Sequence, residues 1–229
     1  MRAGARMFPD LTTDDIFRIE TKRLWLRWPR ASDAPAITSF ASLAQIARMT
    51  ASIPHPYRPG EAERFIMKAR TGNASATALV LAITQKGGAR ETIGLLSATL
   101  AAGMDIEFGY VLAPEIHGKG FASEAVKALA DTVFSLTRAN RILANSRVDN
   151  IASRRVLEKT GFAFVDTGLD FLPARGGLHP CDRFQLDRNT WAARRRAAGE
   201  SRPLPPMAQQ AHDASEANVL VQAAPRVEE

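Results

Sequence analysis

The sequence predicts one α/β domain with a tail at each end. Two observations lead there. From about residue 17 to residue 191, segments with the two-residue alternation of strands follow segments with the three-and-four spacing of helices. Near the middle of that span, Asp105–Ala125 reads as a strand, a glycine turn and a helix in direct succession.

In chain order, residues 1–16 show no sustained periodicity and read as a mobile arm. Phe17–Trp28 is expected as the first strand, with Ile19, Leu24 and Leu26 as its apolar points and Pro29 ending it. Ser32-Asp33 offers a cap to a helix over Ala34–Phe40, and Leu43–Met49 offers a second short helix. Ile53-Pro-His-Pro-Tyr-Arg-Pro-Gly is too proline-rich for regular structure. Glu61–Arg70 places Ala62, Phe65, Ile66 and Ala69 on one helical face. Ala78–Thr84 and Thr92–Leu100 read as strands joined by a turn at Lys86-Gly87-Gly88-Ala89. After the central unit, Arg141–Val148 is a strand, and Asn150 is placed to cap a helix running to Lys159 that Gly161 stops. Phe162–Val165 and His179–Asp187 are expected as the last two strands. Beyond Trp191 the composition turns to Arg194-Arg-Arg, Pro203-Leu-Pro-Pro and patternless Ala, Gln and Glu, so 192–229 reads as disordered or loosely attached.

The central unit has a definite physical use. Ile106, Phe108, Tyr110 and Leu112 alternate along the strand, Pro114 ends it, and His117-Gly118-Lys119-Gly120-Phe121-Ala122 turns into a helix marked by Ala122, Ala125, Val126, Leu129, Ala130, Val133 and Phe134. The unpaired amides and positive dipole end of such a helix bind anions, and glycines let a phosphate approach the backbone. A Walker loop is excluded by spacing. A dinucleotide fingerprint is excluded as well, because Ser123 stands where its third glycine belongs.

Composition narrows the class further. Hydrophobic residues make up 45% and charged residues 24%, the proportions of a soluble globular chain. No apolar run reaches the ~18 residues that span a bilayer, and the N-terminus lacks the apolar stretch of a secretory signal. A single cysteine excludes an internal disulfide framework, so a cytoplasmic setting is expected. The net charge is +6; the two ends contribute zero and −1, which leaves +7 on residues 17–189. A basic core suits a ligand rich in phosphate. A nucleic-acid partner would rest on charge alone, without the aromatic-plus-basic signatures of such modules, and neither DNA nor a membrane is expected as a partner.

The turn, apart from its first residue, matches the Gln/Arg-x-x-Gly-x-Gly/Ala loop of the GNAT acetyltransferases. Four more blocks lie in order around it: Glu20-Thr-Lys-Arg-Leu-Trp-Leu-Arg, Pro54-His-Pro-Tyr, Glu107-Phe-Gly-Tyr, and Asn150-Ile-Ala-Ser-Arg-Arg-Val-Leu-Glu-Lys-Thr-Gly-Phe; Phe184-Gln-Leu-Asp-Arg-Asn-Thr-Trp closes the series. Together they resemble the RimJ/RimL-like branch of that superfamily over roughly residues 18–191. The resemblance implies a GNAT fold: a mixed, mostly antiparallel sheet with helices on both faces, in which the strand of Asp105–Leu112 parts from its parallel neighbour Arg141–Val148 to admit an acyl chain. It implies an acetyl-CoA-dependent N-acetyltransferase that moves an acetyl group directly to a primary amine, either a protein N-terminus or a small molecule. No metal is implied, and a homodimer is left open.

The site residues that the resemblance implies are these. The backbone of His117, Gly118, Lys119, Gly120, Phe121 and Ala122 would cradle the pyrophosphate, with Tyr110, Val111 and Leu112 along the acyl arm and Asn150 and Ser153 at its thiol end. Many relatives carry a tyrosine seven residues after that asparagine to protonate the leaving thiolate. Here Leu157 takes its place, and Ser153, four residues earlier on the same helical face, offers the nearest hydroxyl. Glu107 is the candidate base on the amine side, a role that needs burial or a water relay because an unassisted carboxylate is a weak base for an ammonium group; Asp105 could share it. His55 and Tyr57 lie on the acceptor-side loop, where packing is the simpler reading. Cys181 has no supporting base, so no acyl-enzyme is expected. The leucine at 157 and the histidine at 117 also keep open a non-catalytic, acyl-CoA-binding regulatory module.

Overall fold

The computed structural model describes residues 17–87, 91–101 and 105–199. Eight strands follow one another among them: β1 (Arg18–Glu20), β2 (Leu24–Arg27), β3 (Ala78–Gln85), β4 (Thr92–Leu100), β5 (Ile106–Leu112), β6 (Arg141–Arg147), β7 (Ala163–Leu172) and β8 (Gly177–Asp187). They make one sheet in the order β1-β2-β3-β4-β5-β6-β8-β7, antiparallel throughout except between β5 and β6. The helices are α1 (Ala34–Ala41), α2 (Ala44–Met49), α3 (Glu61–Ala74), α4 (Phe121–Leu136), α5 (Ile151–Thr160) and α6 (Arg188–Ala197).

Period-two alternation sorts the sheet residues between two cores. On one face Leu79, Leu81, Leu96, Ile106, Phe108 and Ile142 pack with Ala125, Val126, Leu129, Val133 and Phe134 of α4 and with Leu157 of α5. On the other, Ala82 and Leu95 meet Ile37 and Phe40 of α1 and Ala62 and Ile66 of α3. The helix-period residues named from the sequence are therefore those that bury α4, except that Ala122 is only half-buried and Phe121 takes the buried place.

Four expectations need correction. Phe17–Trp28 is not one strand but the hairpin β1–β2, in which Arg18 pairs with Arg27. Its turn is made by Thr21, whose hydroxyl accepts from the Leu24 amide at 2.9 Å while its amide donates to the Leu24 carbonyl at 3.0 Å. Helix α3 runs four residues past Arg70 to Ala74. The last hairpin is far longer than Phe162–Val165 with His179–Asp187, since only Pro173–Gly176 separates β7 from β8. Cross-strand polar pairs extend it where apolar alternation fails: Arg183 to Asp170 at 2.6 Å and the Thr167 hydroxyl to Asp182 at 2.7 Å. Finally, a domain end at Trp191 falls inside α6. That helix is anchored by Arg188, which donates to the carbonyls of Phe134, Thr137 and Ala139, and by buried Trp191, whose indole donates to Asp131 at 2.6 Å. The arm 1–16, most of the tail and part of the turn at 86–89 lie outside the described residues.

Candidate active site

Two features of the sheet create a gap at its centre. Strand β5 stays paired to β4 up to Leu112, and β6 stays paired to β8 up to Arg147. Between β5 and β6, however, the pairing stops at Phe108–Ala144. Gly109–Leu112 and Asn145–Arg147 therefore diverge, and each strand leaves backbone groups turned toward the opening. This is the expected parting of the two parallel strands.

Beside the opening lies the start of α4. Pro114–Ile116 makes a 3₁₀ turn, and Gly118 and Gly120 both adopt φ near +78°, the left-handed region where a Cβ is strained. An atom added at Gly118 would meet nothing within 4 Å. The amides of Phe121, Ala122 and Ser123 are the first of the helix and have no carbonyl four residues back to reach. Unpaired N–H groups at a helix start are of the kind that bind phosphate oxygens. His117 does not belong to it as expected: its amide donates to the Pro114 carbonyl at 3.0 Å, and its ring Nε2 bonds the Leu112 carbonyl at 3.0 Å. The Phe121 side chain is likewise in the core, which leaves only its amide for a ligand.

The loop is held by residues to which the sequence reading gave no role. Glu124, in the first turn of α4, accepts from the Thr21 hydroxyl at 2.6 Å, the Arg23 amide at 2.8 Å and the Arg23 Nε at 2.6 Å. Arg23 also donates to the Lys119 carbonyl at 2.9 Å and lies over the Phe121 ring. Burial pushes the Glu124 carboxyl up, but the bonds from Thr21 and Arg23 outweigh it and hold the group below the usual carboxylate range. Only the acidic residue at the start of a helix pattern hinted at this clamp.

On the far wall, Asn150 caps α5, its side chain accepting from the Ser153 amide at 3.1 Å. Tyr110 reaches across from β5. Its hydroxyl is 2.8 Å from the Ser153 Oγ and 3.2 Å from the Ser153 carbonyl oxygen. Burial pushes this phenol up to about 12, with the serine bond acting the other way. Leu157 is fully buried in the core.

Glu107 alternates with Ile106 and Phe108, so it faces the side of the sheet opposite α4. There it is exposed and lines a cavity of about 250 Å³ together with Asn145, Asp166, Arg183 and Gln185 over an apolar base that includes Leu143. Asp105 does not share that cavity: it is buried, and Arg141 holds it at 2.6 Å. The tip of the β7–β8 hairpin reaches the acceptor-side loop, with the Ala174 amide donating to Ala51 at 3.0 Å and Arg175 donating to the Ile53 carbonyl. Tyr57 is half-buried against the α1–α3 core, and burial and then Glu61 and Glu63 push its phenol up to about 12. Burial likewise raises the Cys181 thiol, the opposite of what activates a nucleophile.

An opening between two parallel strands, a glycine turn on one face and a carboxylate-lined cavity on the other point to one family. The family model described as the acetyltransferase (GNAT) domain matches residues 23–163. The chain belongs to the GNAT acetyltransferases. As such it is an acetyl-CoA-dependent acyltransferase, which decides against the non-catalytic module. An uncharacterised GNAT relative, the N-acetyltransferase p20 of Bacillus licheniformis, is 29% identical over 165 residues, covering 72% of this chain and 84% of that protein. The fold is shared with RimJ of Mycobacterium smegmatis, solved with CoA-disulfide, at a TM-score of 0.66 and 21% identity over 80% of this chain and 94% of that one. It is shared too with the spermidine N-acetyltransferase of Vibrio cholerae, solved with CoA and spermine, at a TM-score of 0.63 and 18% identity over 75% and 99%. No helix among the described residues of this GNAT chain is long and apolar enough to cross a membrane.

Proposed function

We propose that this acetyltransferase modifies the α-amine of a protein N-terminus, with cofactor and acceptor entering from opposite faces of the sheet. The observation that carries the reading is the parting of β5 from β6 between the glycine turn that opens α4 and the cavity at Glu107. The amides of that turn would hold the pyrophosphate, with Lys119 adding positive charge. Tyr110, Val111 and Leu112 would line the acyl arm on one side, and Asn150 and Ser153 on the other. Acetyl-CoA supplies the activated acyl group. The residues position the two reactants and handle the protons. Glu107 takes the proton that the attacking amine must lose; being exposed, it acts through water. Ser153 donates to the sulfur as the carbon–sulfur bond breaks.

Supporting a peptide acceptor, the cavity sets the carboxylates of Glu107 and Asp166 beside the side-chain amides of Asn145 and Gln185. Arg183 pairs with Asp166 at 3.5 Å, so Glu107 is the carboxylate that suits an ammonium group, and the two amides suit the donors and acceptors of a peptide backbone. A cytoplasmic setting goes with such substrates and with the single cysteine.

The test is release of free thiol from acetyl-CoA in the presence of short peptides with free N-termini, the same peptides with blocked N-termini, polyamines and aminoglycosides. Turnover only with the free peptides supports the proposal. Turnover only with polyamines would place this chain functionally beside the V. cholerae enzyme instead.

A further inference from the structure

Ser153 is gripped from across the gap. Its side-chain oxygen lies 2.8 Å from the Tyr110 hydroxyl, which is also 3.2 Å from the Ser153 carbonyl oxygen. A carbonyl only accepts, so the phenol donates whenever it turns that way. From the other side the Ser153 amide is fixed on the Asn150 side chain. Tyr110 stands in the part of β5 that β6 has left, and its ring packs on the α4-side core. Leu157, fully buried, brings no donor to this wall. The two hydroxyls therefore meet where the strand that lines the gap faces the first turn of α5.

We propose that Tyr110 is a positioning residue that directs the Ser153 hydroxyl at the sulfur of the departing thiolate. This rests on the acetyl-transfer site described above. At rest, the Ser153 O–H donates to the phenol oxygen while the phenol O–H donates to the Ser153 carbonyl. As negative charge grows on sulfur, the serine O–H turns toward it and the phenol O–H swings onto the serine oxygen. Only O–H bonds rotate. The amine nitrogen bonds to the acetyl carbon, the carbon–sulfur bond breaks with its electron pair going to sulfur, both hydroxyls keep their protons, water reprotonates the sulfur after release, and the amine's proton leaves through water to Glu107. The burial that pushes the Tyr110 phenol up to about 12 keeps it a donor at neutral pH.

The test titrates the thiol of bound coenzyme A by the ultraviolet absorbance of its thiolate, in the wild type, Tyr110→Phe, Ser153→Ala and the double variant, with affinity measured calorimetrically on the same samples. Tyr110→Phe is expected to bind coenzyme A as the wild type does while leaving its thiol about 10-fold less acidic, the effect of weakening one hydrogen bond to a charged group. The double variant should be no worse than Ser153→Ala, because the two residues act as one unit. Ser153→Thr, which keeps a hydroxyl, should retain most of the acidity. In turnover, kcat should fall by a similar factor in Tyr110→Phe at unchanged KM for acetyl-CoA. Thiol acidity within twofold of the wild type in Tyr110→Phe, or losses that multiply in the double variant, overturns the inference. A wild type that fails to bind coenzyme A overturns the site on which it rests.

Discussion

Placing at Leu157 the tyrosine that many GNAT enzymes carry seven residues after the capping asparagine should damage this protein rather than improve it. Leu157 has no exposed surface and belongs to the core between α4, α5 and the sheet. Leu157→Tyr forces a larger ring into that space, and overpacking of this kind costs about 1–3 kcal/mol. The added hydroxyl costs about 1–3 kcal/mol more if it stays buried without a partner. In a domain of this size each 1 kcal/mol lowers Tm by roughly 2–4 °C, so the combined fall should be on the order of 10 °C. Leu157→Met, nearly equal in volume, should stay within about 1.5 kcal/mol of the wild type. Thermal unfolding followed by circular dichroism measures the first effect, and kcat at saturating acetyl-CoA measures the second, which should not rise. A Leu157→Tyr protein as stable as the wild type and faster in turnover would show that position 157 opens onto the gap. The assignment of the thiol end to Ser153 and Tyr110 would then be wrong.

Two further substitutions and a fall in pH probe other parts of the protein. Asp33 accepts from the Arg27 guanidinium through both oxygens at 2.8 Å and from the Arg30 amide at 2.7 Å, and it is almost fully buried; Asp33→Asn leaves Arg27 without its counter-charge and should cost about 3–5 kcal/mol in urea unfolding. Burial pushes the Asp33 carboxyl up, but the bonds from Arg27 and Arg30 outweigh it and leave it below the usual range. Its contribution is therefore fully present above the unfolded value of about 3.9 and is lost as pH falls through the lower folded value, so the wild type should lose stability over that acid window and Asp33→Asn should lose less. Glu107→Gln should lower kcat/KM about 10²-fold or more, with Tm unchanged because the side chain is exposed; an unaltered kcat/KM would remove Glu107 from the chemistry.

Local features of this fold were legible in the sequence and distant pairings were not. Gly118 and Gly120 announce a left-handed turn because only the backbone decides it, and Asn150 and Gly161 bracket α5 through equally local means, a side-chain cap and a left-handed residue. The split of β1 from β2 is secured by Glu124, 101 residues from Arg23, which no window along the chain reveals. Strand β7 runs through Asp166, Gly168 and Asp170, residues poor in strand propensity, because β8 pairs with it and Arg183 bridges its acids. The same limit applied at the site. Glu107 and Ser153 were each visible as candidates, but the contact of Ser153 with Tyr110 spans 43 residues. The expected role of His117 gave way to two bonds within its own turn, which the glycine pattern around it does not encode.

Calorimetric titration of Gly120→Glu with acetyl-CoA asks whether the start of α4 holds the phosphates of the cofactor. Gly120 has φ +78°, and a Cβ there would lie 3.5 Å from Arg23, so the variant adds strain of about 1–2 kcal/mol and sets a negative charge at the helix start. Gly176→Glu, at φ +71° in open space on the β7–β8 turn, carries the same strain elsewhere and serves as the control. Gly176→Glu is expected to bind acetyl-CoA as the wild type does, while a folded Gly120→Glu binds it at least about 100-fold more weakly through lost amide contacts and charge repulsion. Equal affinity in the two folded variants would contradict that role for the start of α4.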